Sequence, residues 1–241
     1  MSSVLVLRLA GPMQSWGSTG RFTRRSTEAF PTKSGVVGLL AAAQGRRRVD
    51  PIEDLAGLRF AARIDQPGEI LRDFHTAHRG ETSMPLSQRY YLSDAVFTAF
   101  VEASDEMIGT LADALRHPVF PLYLGRRACP PTMPLFLDTR QTSLADAVDT
   151  LEWKAAHFHR LQFRSDATVR LRVVADAGTF PTERVTSTHM LQDVPQSFDS
   201  ERRLYALRAV EETTAEIANP EFDEQDSVAV RDGEHDPMGV L

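Results

Sequence analysis

The 241-residue sequence has one cysteine, Cys129, which excludes an internal disulfide and a multi-thiolate zinc cluster. No apolar run approaches the ~18 residues of a membrane-spanning helix. Met1–Gly11 has neither a basic start nor a small-residue cleavage site, so a cytoplasmic protein without membrane attachment is expected. A phosphate-loop glycine–lysine pattern, a dinucleotide glycine fingerprint, a His-Glu-x-x-His zinc motif and a Gly-x-Ser-x-Gly elbow are all missing. Gly17-Ser18-Thr19-Gly20 leads into Arg21 rather than a helix, and His157-Phe158-His159 would split its imidazoles across two faces if extended. Neither Ser15 nor Ser34 has a sequence sign of an activating base. No cofactor and no metal are therefore expected.

Lysine is also scarce. Of 27 basic residues only Lys33 and Lys154 are lysine. Arginine's planar fork suits phosphate and base contacts, although 27 alanines and a single asparagine, Asn219, fit a GC-rich genome that would favour arginine anyway. At 42% hydrophobic and 25% charged residues, the chain has the composition of a folded globular protein, of one elaborated or two small domains. The net charge of -6 is unevenly distributed: residues 1–48 hold eight bases against Glu28, while residues 211–241 hold ten acids against Arg231. A basic N-terminal region favours an anionic partner more than the overall charge suggests.

Val4–Leu9, bounded by Gly11-Pro12, reads as a central strand. Residues 11–31, rich in Gly, Ser, Thr and Arg, read as a long loop ordered on binding. Thr32-Lys33-Ser34-Gly35 then caps an apolar helix ending near Gly45. Strands are predicted at Leu58–Ile64, from Tyr90 through Val101 and at Val119–Leu124, with a helix after Ser104-Asp105 that stops at His117-Pro118. The resulting β-α-β-β-α-β order predicts an α+β, ferredoxin-like (RRM-like) domain over 1–140, whose open sheet face can hold a ligand. Residues 141–218 are expected to form a small module around its own sheet. Its elements are a helix at Leu144–Trp153 and strands at Thr168–Ala175, Glu183–Ser187 and Arg203–Val210. Residues 219–241 are expected to form a flexible acidic tail.

The chemistry these residues support is electrostatic. Arg21, Arg24 and Arg25 precede the helix start at Thr32, Lys33, Ser34 and Gly35, whose unpaired N–H groups favour phosphate oxygens. A local reading in which Thr32 or Ser34 merely caps competes with this. Arg46-Arg47-Arg48 complement the helix dipole at the other end. Gly125-Arg126-Arg127-Ala128-Cys129-Pro130 would fix two guanidinium groups at the sheet's end. Cys129 reads as packing rather than a nucleophile. Trp16 either stacks on a base or plugs an interface.

Leu7-Arg8-Leu9-Ala10-Gly11-Pro12-Met13-Gln14-Ser15-Trp16-Gly17, and Arg21 through Phe30-Pro31-Thr32-Lys33-Ser34-Gly35, resemble the CasD family of type I-E CRISPR Cascade subunits. Leu71–Thr76, Arg89-Tyr90-Tyr91-Leu92 and Tyr123–Pro130 agree in order, and the resemblance covers about residues 3–140. It implies a non-catalytic subunit that binds and caps the 5′ handle of the CRISPR guide RNA. Implied partners are the CasC backbone, the CasA large subunit, a guide cut by CasE, and target DNA reached through the assembled complex. It also implies a thumb-like hairpin at about 74–88 carrying His75, His78 and Arg79. The implied RNA-binding set adds Gln14, Ser15 and Trp16 to the arginines and the helix start. A related branch of the family cleaves repeat RNA without metal, which makes His75, His78, Tyr90, Tyr91 and Lys33 the candidates for an endoribonuclease alternative. A protein-only scaffold is the third reading.

Overall fold

Apolar residues recur on both faces of the first strand because both have something to pack against. The structure, a computed structural model, describes residues 2–17, 24–76, 78–80, 82–83, 86–199 and 201–225. In chain order the elements are β1 (Ser2–Ala10), β2 (Met13–Gln14), β3 (Arg24–Arg25), α1 (Lys33–Ala43), α2 (Glu53–Ala56), β4 (Arg59–Gln66), β5 (Glu69–His75), β6 (His78–Arg79), β7 (Thr82–Ser83), β8 (Ser87–Ser93) and β9 (Val96–Ser104). They continue with α3 (Asp105–Arg116), β10 (Phe136–Arg140), α4 (Leu144–Thr150), α5 (His157–Arg160), β11 (Thr168–Asp176), β12 (Ser187–Ser197) and β13 (Leu204–Ala218).

Seven strands form one antiparallel sheet in the order β10-β1-β9-β4-β11-β13-β12. Helix α1 lies in the connection from β1 to β4, and α3 in that from β9 to β10. The Thr32 hydroxyl accepts the Gly35 N–H at 3.3 Å and so starts α1. Ser104 caps α3, whose Ile108, Leu111, Ala112 and Leu115 form one buried stripe. Both helices pack on the face carrying Leu5, Leu7 and Leu9. Val4 and Val6 point the other way, where Leu144, Ala147 and Val148 of α4 and the indole of Trp153 cover them. Full burial of each such side chain contributes about 1.5–3 kcal/mol.

Several expectations need correction. The sheet's second face is covered by α4 and Trp153, so it is not an open ligand surface. Val119–Leu124 is not a strand: Pro118 and Pro121 lack N–H groups, and the amides of Val119 and Phe120 donate to Ala43 and Ala42 at the end of α1, at 3.0 and 3.2 Å. The edge strand beside β1 is β10 instead. The long strand expected from Tyr90 breaks at Asp94, which has φ 52°, leaving β8 and β9 in different sheets. Residues 11–31 hold the short strands β2 and β3 within the expected loop.

In the C-terminal part, β11 pairs with β4 through Val173, Val174 and Ala175 opposite Arg63, Ala62 and Ala61. Its strands thus extend the first sheet instead of building another. Residues 183–187 give a 3-10 turn at Thr182–Arg184 and then the start of β12. Asn219 is buried and donates to Phe163 and Asp166 carbonyls, so the chain is anchored there. Residues 226–241 of the expected tail lie outside the described residues.

Candidate nucleic-acid interface

Next to the large sheet stands a smaller one, built on β8, with β2 and β3 along one side and β5 along the other. Strands β5 and β8 pair from Glu69 opposite Ser93 to His75 opposite Ser87, so the hairpin stem starts earlier than the expected 74–88 and is fully laddered. The chain leaves the large sheet at Gly68, with φ +69°, where a Cβ would lie 2.3 Å from the Ser93 carbonyl oxygen. Side chains paired across the stem share a face. One face carries Ile70, Arg72 and Phe74 with Tyr90 and Gln88, and there Ile70 is 70% and Phe74 69% exposed. The other carries Asp73 and His75 with Arg89 and Tyr91.

Beside the stem's base the turn 124–129 is pinned in place. Leu124 N–H donates to the Cys129 carbonyl at 2.7 Å, Cys129 N–H to Arg126 at 2.9 Å, and Ser15 N–H to Leu124 at 3.2 Å. Gly125 takes φ +80°, and any Cβ there would overlap the Ser15 carbonyl at 1.7 Å. Arg126 is therefore aimed at the stem. Its guanidinium carbon lies 4.6 Å from the Tyr91 ring centroid, and its Nη2 donates to the Arg25 carbonyl at 2.9 Å. Arg127 and Arg25 are exposed. Cys129 is fully buried, and burial pushes its thiol pKa up, which keeps it protonated and inert as packing.

The helix start is occupied by the protein itself. Asp193 of β12 accepts the Lys33 backbone N–H at 2.7 Å, and the Lys33 ammonium lies 3.1 Å from Asp176. Arg208 closes the network, with Nε 2.7 Å from Asp193 and Nη1 2.6 Å from Asp176. Burial works against the charged Arg208, but its bonds to Asp193 and Asp176 outweigh it and hold its pKa above the ordinary value. Two cations and two carboxylates balance here, so the helix start at Thr32, Lys33, Ser34 and Gly35, expected to be open to phosphate, is paired with protein carboxylates instead. Thr32, Lys33 and Ser34 are all buried.

The Gln14-Ser15-Trp16 string is likewise interior. Gln14 donates to the Leu9 and Ala95 carbonyls and accepts the Trp16 indole N–H at 3.1 Å, and Ser15 donates to the Tyr90 carbonyl. Trp16 is fully buried against Gly35, so it plugs a joint and does not stack on a base. Arg46 is held by Asp54, in line with a stabilising role. Arg21 and the side chains of Arg24, His78 and Arg79 lie outside the described residues. His75 Nε2 sits 2.6 Å from Asp73 Oδ2.

The structure thus brings together Arg25, Arg126, Arg127 and the hairpin stem, whereas Lys33 is paired with Asp176. Among the cleavage candidates, Tyr90 and Tyr91 alternate onto opposite faces of β8, Tyr91 is buried beneath Arg126, and Lys33 is tied to Asp176. Sequence reasoning passed over Arg89, which pairs with Asp73 on the stem face that also carries Tyr91. Its signal was its place two residues before Tyr91, which puts both on one face of the strand.

A family model described as CRISPR-associated protein (Cas_Cas5) matches residues 4–211. The chain belongs to the Cas5 family. This Cas5 chain is 41% identical over 165 residues to a protein of Escherichia coli (strain K12) named CRISPR system Cascade subunit CasD, a match spanning 59% of this chain and 74% of that protein. It superposes on a solved chain described as a CRISPR RNA-guided surveillance complex with TM-score 0.73 at 32% identity, covering 94% of this chain and 98% of the other. A second solved chain, described as a Cas protein, gives TM-score 0.67 at 34% identity over 92% and 98% of the two chains. The family match extends well past residue 140 and ends before the acidic terminus.

Proposed function

We propose that this Cas5 chain is a Cascade subunit that binds and caps the 5′ handle of the CRISPR guide RNA and anchors the CasC backbone and the CasA large subunit. Target DNA is met only through the assembled complex, and no cleavage is asked of this chain. One observation carries the reading: the pinned 124–129 turn holds Arg126 and exposed Arg127 beside Arg25 at the base of a projecting hairpin. Guanidinium groups fixed by the backbone lose little freedom on meeting phosphates. The hairpin, with Ile70, Arg72 and Phe74 exposed along one face, serves as the thumb laid across the strand and against the backbone subunit. The β10-β1-β9-β4 order with two helices on one face supports a ferredoxin-like reading of residues 1–140 as the RNA-binding part, with 141–218 as its extension.

The test is the affinity of the assembled complex for its guide RNA across a salt series. Replacing Arg127 and Arg72, both exposed, by Glu weakens binding and makes its salt dependence shallower by about 0.7 for each single-strand phosphate that is no longer neutralised. Unchanged affinity and slope overturn the reading. Incubation with unprocessed repeat RNA tests the endoribonuclease alternative: site-specific cuts that vanish with His75→Ala would establish it in place of a purely binding role.

A further inference from the structure

Two guanidinium nitrogens along the stem are buried and have no hydrogen-bond partner among the described residues: Arg89 Nε and Arg126 Nη1. Leaving a charged donor unpaired inside a protein is costly, and the great majority of buried polar groups find partners. Arg89 shares a face of β8 with Tyr91, over whose ring Arg126 is stacked. The carboxylate opposite Arg89 across the ladder, Asp73, does not satisfy it: Oδ1 accepts the Phe74 N–H at 2.8 Å, Oδ2 lies 2.6 Å from His75 Nε2, and Arg89 Nε bonds neither. Arg25 stands beside Arg89 in the parallel β3–β8 register, so cations outnumber acids here.

We propose that Arg89 and Arg126 together clamp one phosphodiester of the bound guide RNA, each giving one N–H to its non-bridging oxygens. The proposal rests on the RNA-binding reading above and adds a residue, Arg89, and a division of labour to it. Arg126 Nη2 donates to the Arg25 carbonyl, and Nη1 is the buried nitrogen left without a partner among the described residues. A planar carboxylate is best matched by the two parallel N–H groups of a single fork. One N–H from each of two arginines, on β8 and on the 124–129 turn, suits the tetrahedral oxygens of a phosphate instead. The clamp would also fix the loop before β3 to the hairpin stem when RNA is present, since Arg126 touches both.

The experiment uses the assembled complex and its own guide RNA, resynthesised with phosphodiesters replaced one at a time by uncharged methylphosphonates. One linkage is expected to cost about tenfold to a hundredfold in affinity with the natural protein, the range of a charge-assisted hydrogen bond, and nothing further with Arg89→Gln. Arg89→Lys, which keeps the charge and the fold but not the directed N–H, should retain part of the affinity while still losing the linkage dependence. If the RNA binds and every linkage costs the same in natural and Arg89→Gln complexes, the clamp is overturned and handle binding stands. If Arg89→Gln blocks assembly with protein subunits before RNA is added, a partner carboxylate fills the pair and the clamp is again overturned. Failure of the natural complex to bind the RNA would remove both readings.

Discussion

Asp193 Oδ2 accepts the backbone N–H of Lys33 at 2.7 Å, so a carboxylate from the far end of the sheet sits where the start of α1 would attract an anion. The same carboxylate pairs with buried Arg208, and Asp176 holds the Lys33 ammonium. A protein anion therefore replaces the nucleic-acid anion that the local sequence suggests.

Asp193→Ala should destabilise the chain by about 3–5 kcal/mol, because it removes the acceptor of Arg208 Nε and Nη2 in the interior and leaves Asp176 as that guanidinium's carboxylate partner. Urea unfolding measures this. Combining Asp193→Leu with Arg208→Met should cost less than either single change, since no unpaired charge is left; a double-mutant cycle showing simple additivity would refute the coupling.

Gly35→Ala should lower stability by about 1–3 kcal/mol, because its Cβ would come 2.6 Å from Trp16 Cε3. Trp16→Ala should unfold the protein more readily still, by about 3–5 kcal/mol. Thermal melts check both. A Trp16→Ala protein of normal stability with weakened RNA binding would return the indole to the RNA surface.

Phe74→Ser and Ile70→Ser should leave the unfolding free energy within about 0.5 kcal/mol of the natural protein, as both side chains are exposed on the hairpin. Both should impair assembly of the complex, measured by co-purification of subunits and RNA. Full assembly with both serines present would contradict the thumb role.

His159 packs between Trp153 and Phe163, with ring centroids 5.8 and 5.3 Å away, and burial lowers its pKa below 6.5. Protonation is easier in the unfolded chain, so this residue's contribution to stability is complete above about pH 6.5 and declines as pH falls through the lowered folded value. His159→Phe should remove part of the acid-side decline that sets in as pH falls below about 6.5. Identical pH slopes in the two proteins, read from urea midpoints, would rule this out.

The sequence was readable where local rules act alone. Hydroxyl caps at Thr32 and Ser104 set the helix starts, and the β1 run declared a strand buried on both sides. It failed where distant residues decide. Val119–Leu124 has strand-like side chains, yet its amides are drawn to the end of α1, and the short, polar β10 gave no periodic signal. The site shows the same division. The fixed turn holding Arg126 and Arg127 was legible because Gly125 and the prolines mark it. Lys33 misled because its partners, Asp176 and Asp193, lie more than 140 residues away. Arg89 was missed because its significance depends on Arg126, brought to it only by folding.

The seam between β4 and β11 is only three residue pairs long, yet it joins the two halves of the seven-stranded sheet. Cutting the chain after residue 140 would strip that seam and leave Ala61–Arg63 as an uncovered rim of main-chain donors and acceptors, ready to recruit foreign strands. Shortened versions carrying only the first half are therefore expected to clump.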